Sequence, residues 1–330
     1  MGDVLLSITD LKVGYRVYKG QLKVLNGVNI EVKKGERVGI VGETGSGKTT
    51  IAKCITGILP KAGRISGGKI LLDGKDVLTM SAHDLSILRG QKVAMIFQDP
   101  TSALNPVLRI GSIMDDIIGY AYTSDGSRIP KSQIHEIAVK ALRSASLPDP
   151  DRILASYPFQ LSGGMRQRVF IAMALATPRE LLLADEPTTN LDVTIQDQIL
   201  RLIKTRVDER HVSMVLISHS LDIVSEMTDR VYMLYGGAVV EQANTRDLFE
   251  NPYHPYSRAL MSCIPKLSGG GIASGIAGEM VNYLAPGNGC RFSSRCSKAL
   301  PACSIQPPPM VEVEPGHRVA CFLFSEKQRS

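Results

Sequence analysis

The stretch RVGIVGETGSGKTT, from Arg37 to Thr50, decides the fold of this 330-residue chain. Its first six residues are typical of a buried strand that runs into a glycine-rich loop. Residues Gly42–Thr49 then fit the pattern G-x-x-x-x-G-K-[ST], in which backbone N–H groups and a helix N-terminus surround phosphate groups. The next residues predict a helix over residues 48–59, ended by Pro60. The stretch therefore predicts a strand–loop–helix unit that binds the phosphates of a nucleotide.

Side chains suited to nucleotide chemistry occur in this loop and after a later strand. Lys48 can reach the β- and γ-phosphates, and the Thr49 hydroxyl can ligate Mg²⁺. The apolar run LLLAD predicts a buried strand over residues 181–185, and it ends in Asp185 and Glu186. The first carboxylate suits the surroundings of the metal, and the second suits a general base for an attacking water. A structural glycine-rich turn and a solvated acidic pair are the alternatives.

A second glycine-led helix start follows in LSGGMRQRVF, residues 161–170. Ser162 is the expected N-cap of a helix over residues 162–176. Gly163 and Gly164 would let the backbone approach an anion at the helix N-terminus. One nucleotide needs only one phosphate-binding loop, so this second start calls for another explanation. An ordinary serine-capped helix is the simplest one.

Composition limits the class of protein. Hydrophobic residues make up 44% of the chain, charged residues 21%, and the net charge is +6. No apolar run reaches the ~18–20 residues that a membrane-spanning helix needs, and the N-terminus lacks the features of an export signal, which predicts a cytosolic protein. The absence of Trp and the 5% aromatic content argue against a stacking platform for nucleic-acid bases.

The pattern along the chain predicts an α/β fold. Residues 3–41 are strand-rich, GGKILLDGKDV at residues 67–77 predicts a short hairpin, and residues 81–160 have a mostly helical pattern. Strands at residues 181–185 and 214–218 alternate with helices, which predicts a mainly parallel sheet covered on both faces. Residues 268–278, SGGGIASGIAG, are typical of a flexible linker.

The motifs GETGSGKT, FQDP, LSGGMRQR, LLLADEP, TNLD and ISHS occur in the order and spacing of ABC-transporter ATPase domains, which the chain resembles over about residues 5–250. The resemblance implies a P-loop NTPase (RecA-like) core with an N-terminal antiparallel β subdomain and an inserted helical subdomain at about residues 95–180. It divides the chain into an ATPase domain, residues 1–250, and a small Cys-rich C-terminal extension, residues 251–330. It also implies a head-to-tail dimer, in which LSGGM of one subunit faces the phosphate loop of the other.

The resemblance assigns roles residue by residue. The catalytic residues are Glu186, His219 and Gln98. The residues that bind ATP are Tyr15, Gly42, Glu43, Thr44, Gly45, Ser46, Gly47, Lys48, Thr49, Thr50, Gln98 and Asp185. Thr49 and Gln98 are expected at Mg²⁺, and Tyr15 on adenine, with Tyr18 as the alternative. Ser162, Gly163, Gly164 and Asp192 are expected at the ATP of the partner subunit.

The C-terminal part is similar to importers of dipeptides, oligopeptides and nickel. The extended FQDPTSALNP motif, NPYHPYSRAL at residues 251–260 and the Cys-rich residues 289–321 carry this resemblance, although IAGEMVNYLAPGNGC replaces the usual stretch before the first cysteine. Peptides are the expected cargo, and oligosaccharides or nickel are alternatives. The implied partners are a second ATPase subunit, two membrane permease subunits and an extracytoplasmic substrate-binding protein. The implied location is peripheral, on the cytoplasmic face of the membrane.

Four of the six cysteines, Cys290, Cys296, Cys303 and Cys321, lie close together in the sequence. Their spacing lacks the short C-x2–4-C pair of structural zinc sites, and four thiolates suit a [4Fe–4S] cluster, which the resemblance also implies. Zinc, reduced thiols and disulfides are the alternatives. Because a linker precedes these residues, we expect the cluster to lie away from the ATP site.

Two other classes of ABC protein compete with an importer. A soluble ABC ATPase that acts on nucleic acid or ribosomes would usually carry long coiled coils, zinc modules or a second ATPase domain, none of which is visible. An exporter ATPase is the other. The sequence predicts no nucleic-acid partner.

Overall fold

The computed structural model describes residues 3–99, 104–123, 129–189, 192–263 and 275–325. Parts of the FQDPTSALNP and TNLD motifs and most of the predicted linker lie outside these ranges. The chain forms two compact units, Met1–Thr79 with Leu216–Ser330, and Met80–Val215. The predicted division at residue 250 stays a prediction. In the described ranges, no helix is both long and apolar enough to cross a membrane.

The strands and helices are numbered in chain order. The strands are β1 (Val4–Val17), β2 (Gly20–Lys33), β3 (Arg37–Val41), β4 (Gly63–Leu72), β5 (Lys75–Asp76), β6 (Val93–Ile96), β7 (Leu181–Asp185), β8 (Ser213–Ser218), β9 (Arg230–Tyr235), β10 (Ala238–Asn244), β11 (Met310–Glu314) and β12 (His317–Ala320). The helices are α1 (Lys48–Ile55), α2 (Ala82–Ile87), α3 (Ile110–Ala121), α4 (Lys131–Ser144), α5 (Pro150–Ala155), α6 (Gly163–Leu175), α7 (Val193–Arg210), α8 (Leu221–Met227), α9 (Thr245–Glu250), α10 (Pro255–Ser262) and α11 (Ala302–Ile305).

The first unit contains an antiparallel sheet in the order β2-β1-β4-β5. Buried apolar residues alternate with exposed ones along much of β1 and β2, as expected of strands with one face on a core. This sheet is the predicted N-terminal antiparallel subdomain, and β4 with β5 forms the predicted hairpin.

A second set of strands in this unit has the order β11-β12-β10-β9-β3. β3 pairs with β9 in parallel, whereas β10 and the two C-terminal strands β11 and β12 pair antiparallel. The extension therefore adds the outer strands to the sheet that carries the phosphate-binding loop, an arrangement that the sequence analysis did not predict.

A buried carboxylate fixes this added edge. Glu241 on β10 is completely buried and lies 2.7 Å from Nε2 of His317, the first residue of β12. The same carboxylate accepts hydrogen bonds from the backbone N–H groups of Tyr253 (2.6 Å) and His254 (3.0 Å). A buried charge is tolerated only with such partners, so this group ties β10, β12 and the start of α10 together.

The second unit is built around helices α3, α4 and α6. Ile110, Met114 and Ile118 of α3 are fully buried, one turn apart, and share a core with Ala138 and Leu142 of α4. This spacing is the one-sided apolar stripe that predicts a packed helix. The unit also contains the parallel pair β6 and β7. The predicted strands at residues 181–185 and 214–218 and the predicted helix at residues 162–176 are confirmed within one residue.

Candidate nucleotide-binding site

The phosphate-binding loop connects β3 to α1, as predicted. Gly45 and Gly47 have φ values of 84° and 103°, which non-glycine residues rarely adopt. A Cβ on Gly42 would overlap the carbonyl oxygen of Leu234 on β9. The glycines of the motif are therefore required by the backbone path. Helix α1 ends at Ile55, before the predicted Pro60, because Gly57 takes a left-handed φ of 64°.

Two polar side chains of the loop point into it rather than to solvent. The buried ammonium group of Lys48 donates hydrogen bonds to the carbonyl oxygens of Gly42 (2.7 Å) and Glu43 (3.0 Å). The hydroxyl of Ser46 is buried, and no group in the described part of the chain makes a hydrogen bond with it. A cation and an unsatisfied hydroxyl beside converging backbone N–H groups suit an anionic ligand with several oxygens.

The two tyrosines considered for adenine differ in their surroundings. The Tyr15 hydroxyl lies 3.1 Å from the Thr50 hydroxyl, at the start of α1. Tyr18 is fully exposed at the tip between β1 and β2. Tyr15 is thus next to the phosphate-binding segment, and its place on adenine stays a prediction.

The C-terminal extension contacts the phosphate-binding loop directly. The Glu43 backbone N–H donates to the Tyr256 hydroxyl (3.0 Å), and the Tyr283 hydroxyl donates to the Gly45 carbonyl oxygen (2.8 Å). Arg295, adjacent to Cys296, donates two hydrogen bonds to the Glu43 carboxylate. The expectation that the segment with the cysteines lies away from the ATP-binding residues is therefore wrong.

Sequence reasoning missed these contacts because they join residues more than 200 positions apart. The HPY segment, residues 254–256, was the one local sequence feature that could have indicated such a contact, and the structure shows the role of its residues. His254 caps α10 by accepting a hydrogen bond from the Tyr256 backbone N–H (3.0 Å), and this places the Tyr256 ring beside the loop. Burial lowers the pKa of His254 to about 4, so the ring is neutral and can act as this acceptor.

In the second unit, a carboxylate at the end of β7 is held by two side chains. Glu186 has a left-handed φ of 47°, an uncommon conformation that is often found at functional sites. The Gln98 amide donates to its Oε2 atom (3.0 Å), and the Thr189 hydroxyl donates to the same atom (2.9 Å). The preceding Asp185 is buried. The structure thus brings the predicted Gln98 and Glu186 together and adds Thr189, which the sequence analysis did not single out.

Two helix starts in this unit carry the residues predicted for the ATP of a partner. Ser162 caps α6 and accepts a hydrogen bond from the Met165 N–H (3.3 Å), as predicted. A Cβ built on Gly163 would have no atom within 4 Å, and one on Gly164 would meet only Ile195 at 3.9 Å. No packing contact among the described residues explains these two glycines. Asp192 caps α7 through the Ile195 N–H (2.9 Å).

His219 directly follows β8 in the first unit, at the position that the sequence predicts, and its side chain is exposed. This end of the strand is the carboxyl end, where ligands of open α/β sheets bind. Its contact with a γ-phosphate stays a prediction.

The four C-terminal cysteines converge. Cys290, Cys296, Cys303 and Cys321 all line one small cavity, together with His254. Burial raises the pKa of Cys290 to about 11, and the nearby Cys303, Cys321 and Cys296 contribute to this increase to a smaller extent. Without a bound cation this thiol is therefore protonated. In the described residues no disulfide joins them, and no three His, Cys, Asp or Glu side chains are arranged to hold a metal ion. The donors share a cavity, but their placement is not that of a coordination sphere.

A strand, a glycine-rich loop with a buried lysine and a helix define a P-loop nucleotide-binding protein. The chain belongs to the ABC transporter family, whose sequence model matches residues 25–189. A second model, for the C-terminal region of oligopeptide/dipeptide transporters, matches residues 240–303.

Relatives align along almost the whole chain. It is 41% identical to a probable peptide ABC transporter ATP-binding protein of Sinorhizobium fredii, over 98% of this chain and 96% of the relative. It is 39% identical to the oligopeptide transport ATP-binding protein OppD of Escherichia coli, over 97% of this chain and 93% of the relative. A dimeric ATP-binding cassette in a post-hydrolysis state, bound to ADP and Pi, aligns with a TM-score of 0.66 and 26% identity, over 73% of this chain and 99% of that structure. The fold is that of an ABC ATPase cassette.

Thr189→Val tests whether the hydroxyl positions Glu186. The substitution keeps the shape and removes one hydrogen bond to a charged group, so kcat for ATP hydrolysis should fall about 3- to 10-fold while KM stays unchanged. Steady-state kinetics checks this. Thr177→Val is the control, because the Thr177 hydroxyl is buried in the same unit and has no hydrogen-bond partner in the described residues. Equal rates in both variants and wild type would contradict the positioning role.

Proposed function

We propose that this protein is the ATP-hydrolysing subunit of an ABC importer that takes up di- or oligopeptides. The phosphate-binding loop, with the buried Lys48 and the unsatisfied Ser46 hydroxyl, carries the ATP-binding part of the proposal. The peptide part is supported by the match of residues 240–303 and by the peptide transporters among the relatives. Oligosaccharides and nickel are the alternative cargoes for the same machinery.

The side chains of the loop bind and orient the nucleotide in this proposal. Lys48 exchanges the carbonyl oxygens of Gly42 and Glu43 for β- and γ-phosphate oxygens, and the Ser46 hydroxyl gains a hydrogen bond that no described residue offers it. Thr49 and Gln98 would ligate Mg²⁺, and Asp185 would hydrogen-bond to the metal's water shell. Bound Mg²⁺ would neutralise charge that develops on the phosphate oxygens.

Glu186 is the proposed general base. The amide of Gln98 and the hydroxyl of Thr189 both donate to Oε2, so that oxygen is occupied and the carboxylate is fixed in orientation. The carboxylate held in this way is proposed to accept a proton from the attacking water. His219 is proposed to contact the γ-phosphate and Tyr15 to stack on adenine.

Glu186→Gln should abolish steady-state hydrolysis while ATP binding is preserved, because it removes the base and leaves the loop intact. A loss of at least about 100-fold in kcat is expected. Lys48→Ala should instead weaken ATP binding by more than about 10-fold, since it removes a charge-assisted contact. Calorimetric binding and phosphate-release assays separate the two effects. A Glu186→Gln protein that hydrolyses ATP within about threefold of wild type would disprove the base assignment.

We also propose that α6 serves the nucleotide of a second ATPase subunit, identical or paralogous, in a head-to-tail dimer. The open space at Gly163 and Gly164, together with the positive end of the α6 helix dipole, would admit a γ-phosphate from outside the chain. Asp192 belongs to the same proposed interface. The further partners are two permease subunits, with docking near Gln98 and the helical subdomain, and an extracytoplasmic substrate-binding protein. The protein would then be peripheral on the cytoplasmic face of the membrane.

Gly164→Asp should abolish hydrolysis and ATP-driven dimer formation but preserve ATP binding by each monomer. The new carboxylate would lie where the partner's γ-phosphate is proposed to bind, while the phosphate-binding loop is untouched. Analytical ultracentrifugation with ATP and binding titrations measure both properties. Gly287→Asp is the matched control, because this glycine is equally open but lies in the extension. A loss of monomer affinity as large as the loss of hydrolysis would contradict the two-subunit site.

For the cysteine cavity we propose a [4Fe–4S] cluster on Cys290, Cys296, Cys303 and Cys321, with Zn²⁺ as the alternative. The convergence of four thiols on one cavity and the absence of a short zinc-type pair support it. Its role would be structural, since the extension has little core of its own and metal binding can supply folding energy. The side chains must rotate to form ligand bonds, because their present arrangement is not a metal site.

Anaerobically purified protein should therefore contain iron and labile sulfide, and Cys290→Ser should lose both and become protease-sensitive between residues 280 and 325. Because this segment contacts the phosphate-binding loop, ATP affinity should fall as well. Elemental analysis decides the question, with Cys54→Ser as the control for a buried cysteine outside the cavity. Protein that contains zinc but no iron would disprove the cluster. Protein that contains neither iron nor zinc would disprove both metal assignments.

A further inference from the structure

The phosphate-binding loop contains a carboxylate, Glu43, directly after its first glycine. A negative group there opposes the binding of phosphates unless its charge is balanced. The structure balances it with Arg295 of the extension. Guanidinium atom Nη1 lies 2.7 Å from Glu43 Oε2, and Nη2 lies 3.1 Å from Oε1, so the pair is bidentate. A guanidinium group is positively charged in proteins, so the pair joins opposite charges.

Arg295 is rigidly held and well shielded. Its side chain is only 5% exposed, and its other N–H groups donate to the carbonyl oxygens of Ala277 (2.9 Å) and Ile276 (2.8 Å). The guanidinium also donates to the Tyr235 hydroxyl (3.3 Å). A buried bidentate pair with these additional acceptors is less screened than a surface ion pair, so its charges act on their surroundings.

We propose that Arg295 is a positioning residue for nucleotide binding. It neutralises the charge of Glu43 and holds this side chain against the extension, and it thereby raises the affinity of the phosphate-binding loop for ATP. The inference rests on the proposed function, that this loop binds ATP. Without Arg295, the Glu43 carboxylate would be unpaired beside the phosphates and would repel them. The extension thereby acts on ATP affinity through one ion pair, in addition to its backbone contacts.

The test is a double-mutant cycle with the full-length chain, with ATP dissociation constants from calorimetry at low salt. Arg295→Ala should weaken ATP binding about 10-fold. Glu43→Gln should tighten it about threefold, because the guanidinium remains near the phosphates without its counter-ion. The double variant should recover most of the affinity that Arg295→Ala loses. Raising the ionic strength should shrink both single-variant effects.

Two further variants separate charge from folding. Arg295→Lys keeps the charge but not the fork, so its ATP affinity should lie between those of wild type and Arg295→Ala. Arg318→Ala removes an exposed cation from the same extension and should leave ATP affinity unchanged. If Arg295→Ala weakens ATP binding only because the extension unfolds, removal of the Glu43 charge cannot restore it.

The outcomes distinguish the inference from the proposed function. Unchanged ATP affinity in Arg295→Ala, or a double variant as weak as Arg295→Ala alone, would overturn the role of Arg295 while wild-type ATP binding stands. Wild-type protein that does not bind ATP would overturn the proposed function and the inference with it. Opposite signs for the two single variants, with recovery in the double variant, would establish the charge balance.

Discussion

The rest of the structure depends on the close approach of the phosphate-binding loop to β9. Gly42 lies so near the carbonyl oxygen of Leu234 that a side chain is excluded, and Gly45 and Gly47 then take left-handed φ values that bring the chain into α1. This path gathers backbone N–H groups, the Lys48 ammonium group and the Ser46 hydroxyl around one small volume. The site is therefore a property of the backbone, and the side chains refine it.

The extension is part of the same unit as this loop. Its strands β11 and β12 continue the order that begins at β3, and the buried Glu241 fixes the connection through His317 and two backbone N–H groups. Arg291 adds hydrogen bonds to the carbonyl oxygens of Lys23 and Gly236. These contacts join the Cys-rich segment to the unit that carries the phosphate-binding loop.

The sequence predicted most accurately those features that depend on residues close together in the chain. The phosphate-binding loop, the Ser162 cap and the buried strand at residues 181–185 follow from motifs, capping and apolar runs of a few residues. The end of α1 was predicted too late, because Gly57 ends the helix before Pro60 can. The pairing of Arg295 with Glu43 and of His317 with Glu241 depends on which strands neighbour one another, and no local pattern encodes that. Assignments such as His219 and Tyr15 depend on a bound nucleotide and stay predictions.

The loop at residues 42–49 is proposed to bind a nucleotide through its phosphates. Calorimetric titration of the wild-type chain with ATP, ADP and adenosine, each with Mg²⁺, tests it most directly. If the backbone N–H groups, Lys48 and Ser46 carry the binding, affinity should rise steeply with the number of phosphates, and adenosine should bind at least about 100-fold more weakly than ATP. Adenosine affinity within about threefold of that of ATP would contradict the account, because the binding would then come from the base and sugar alone.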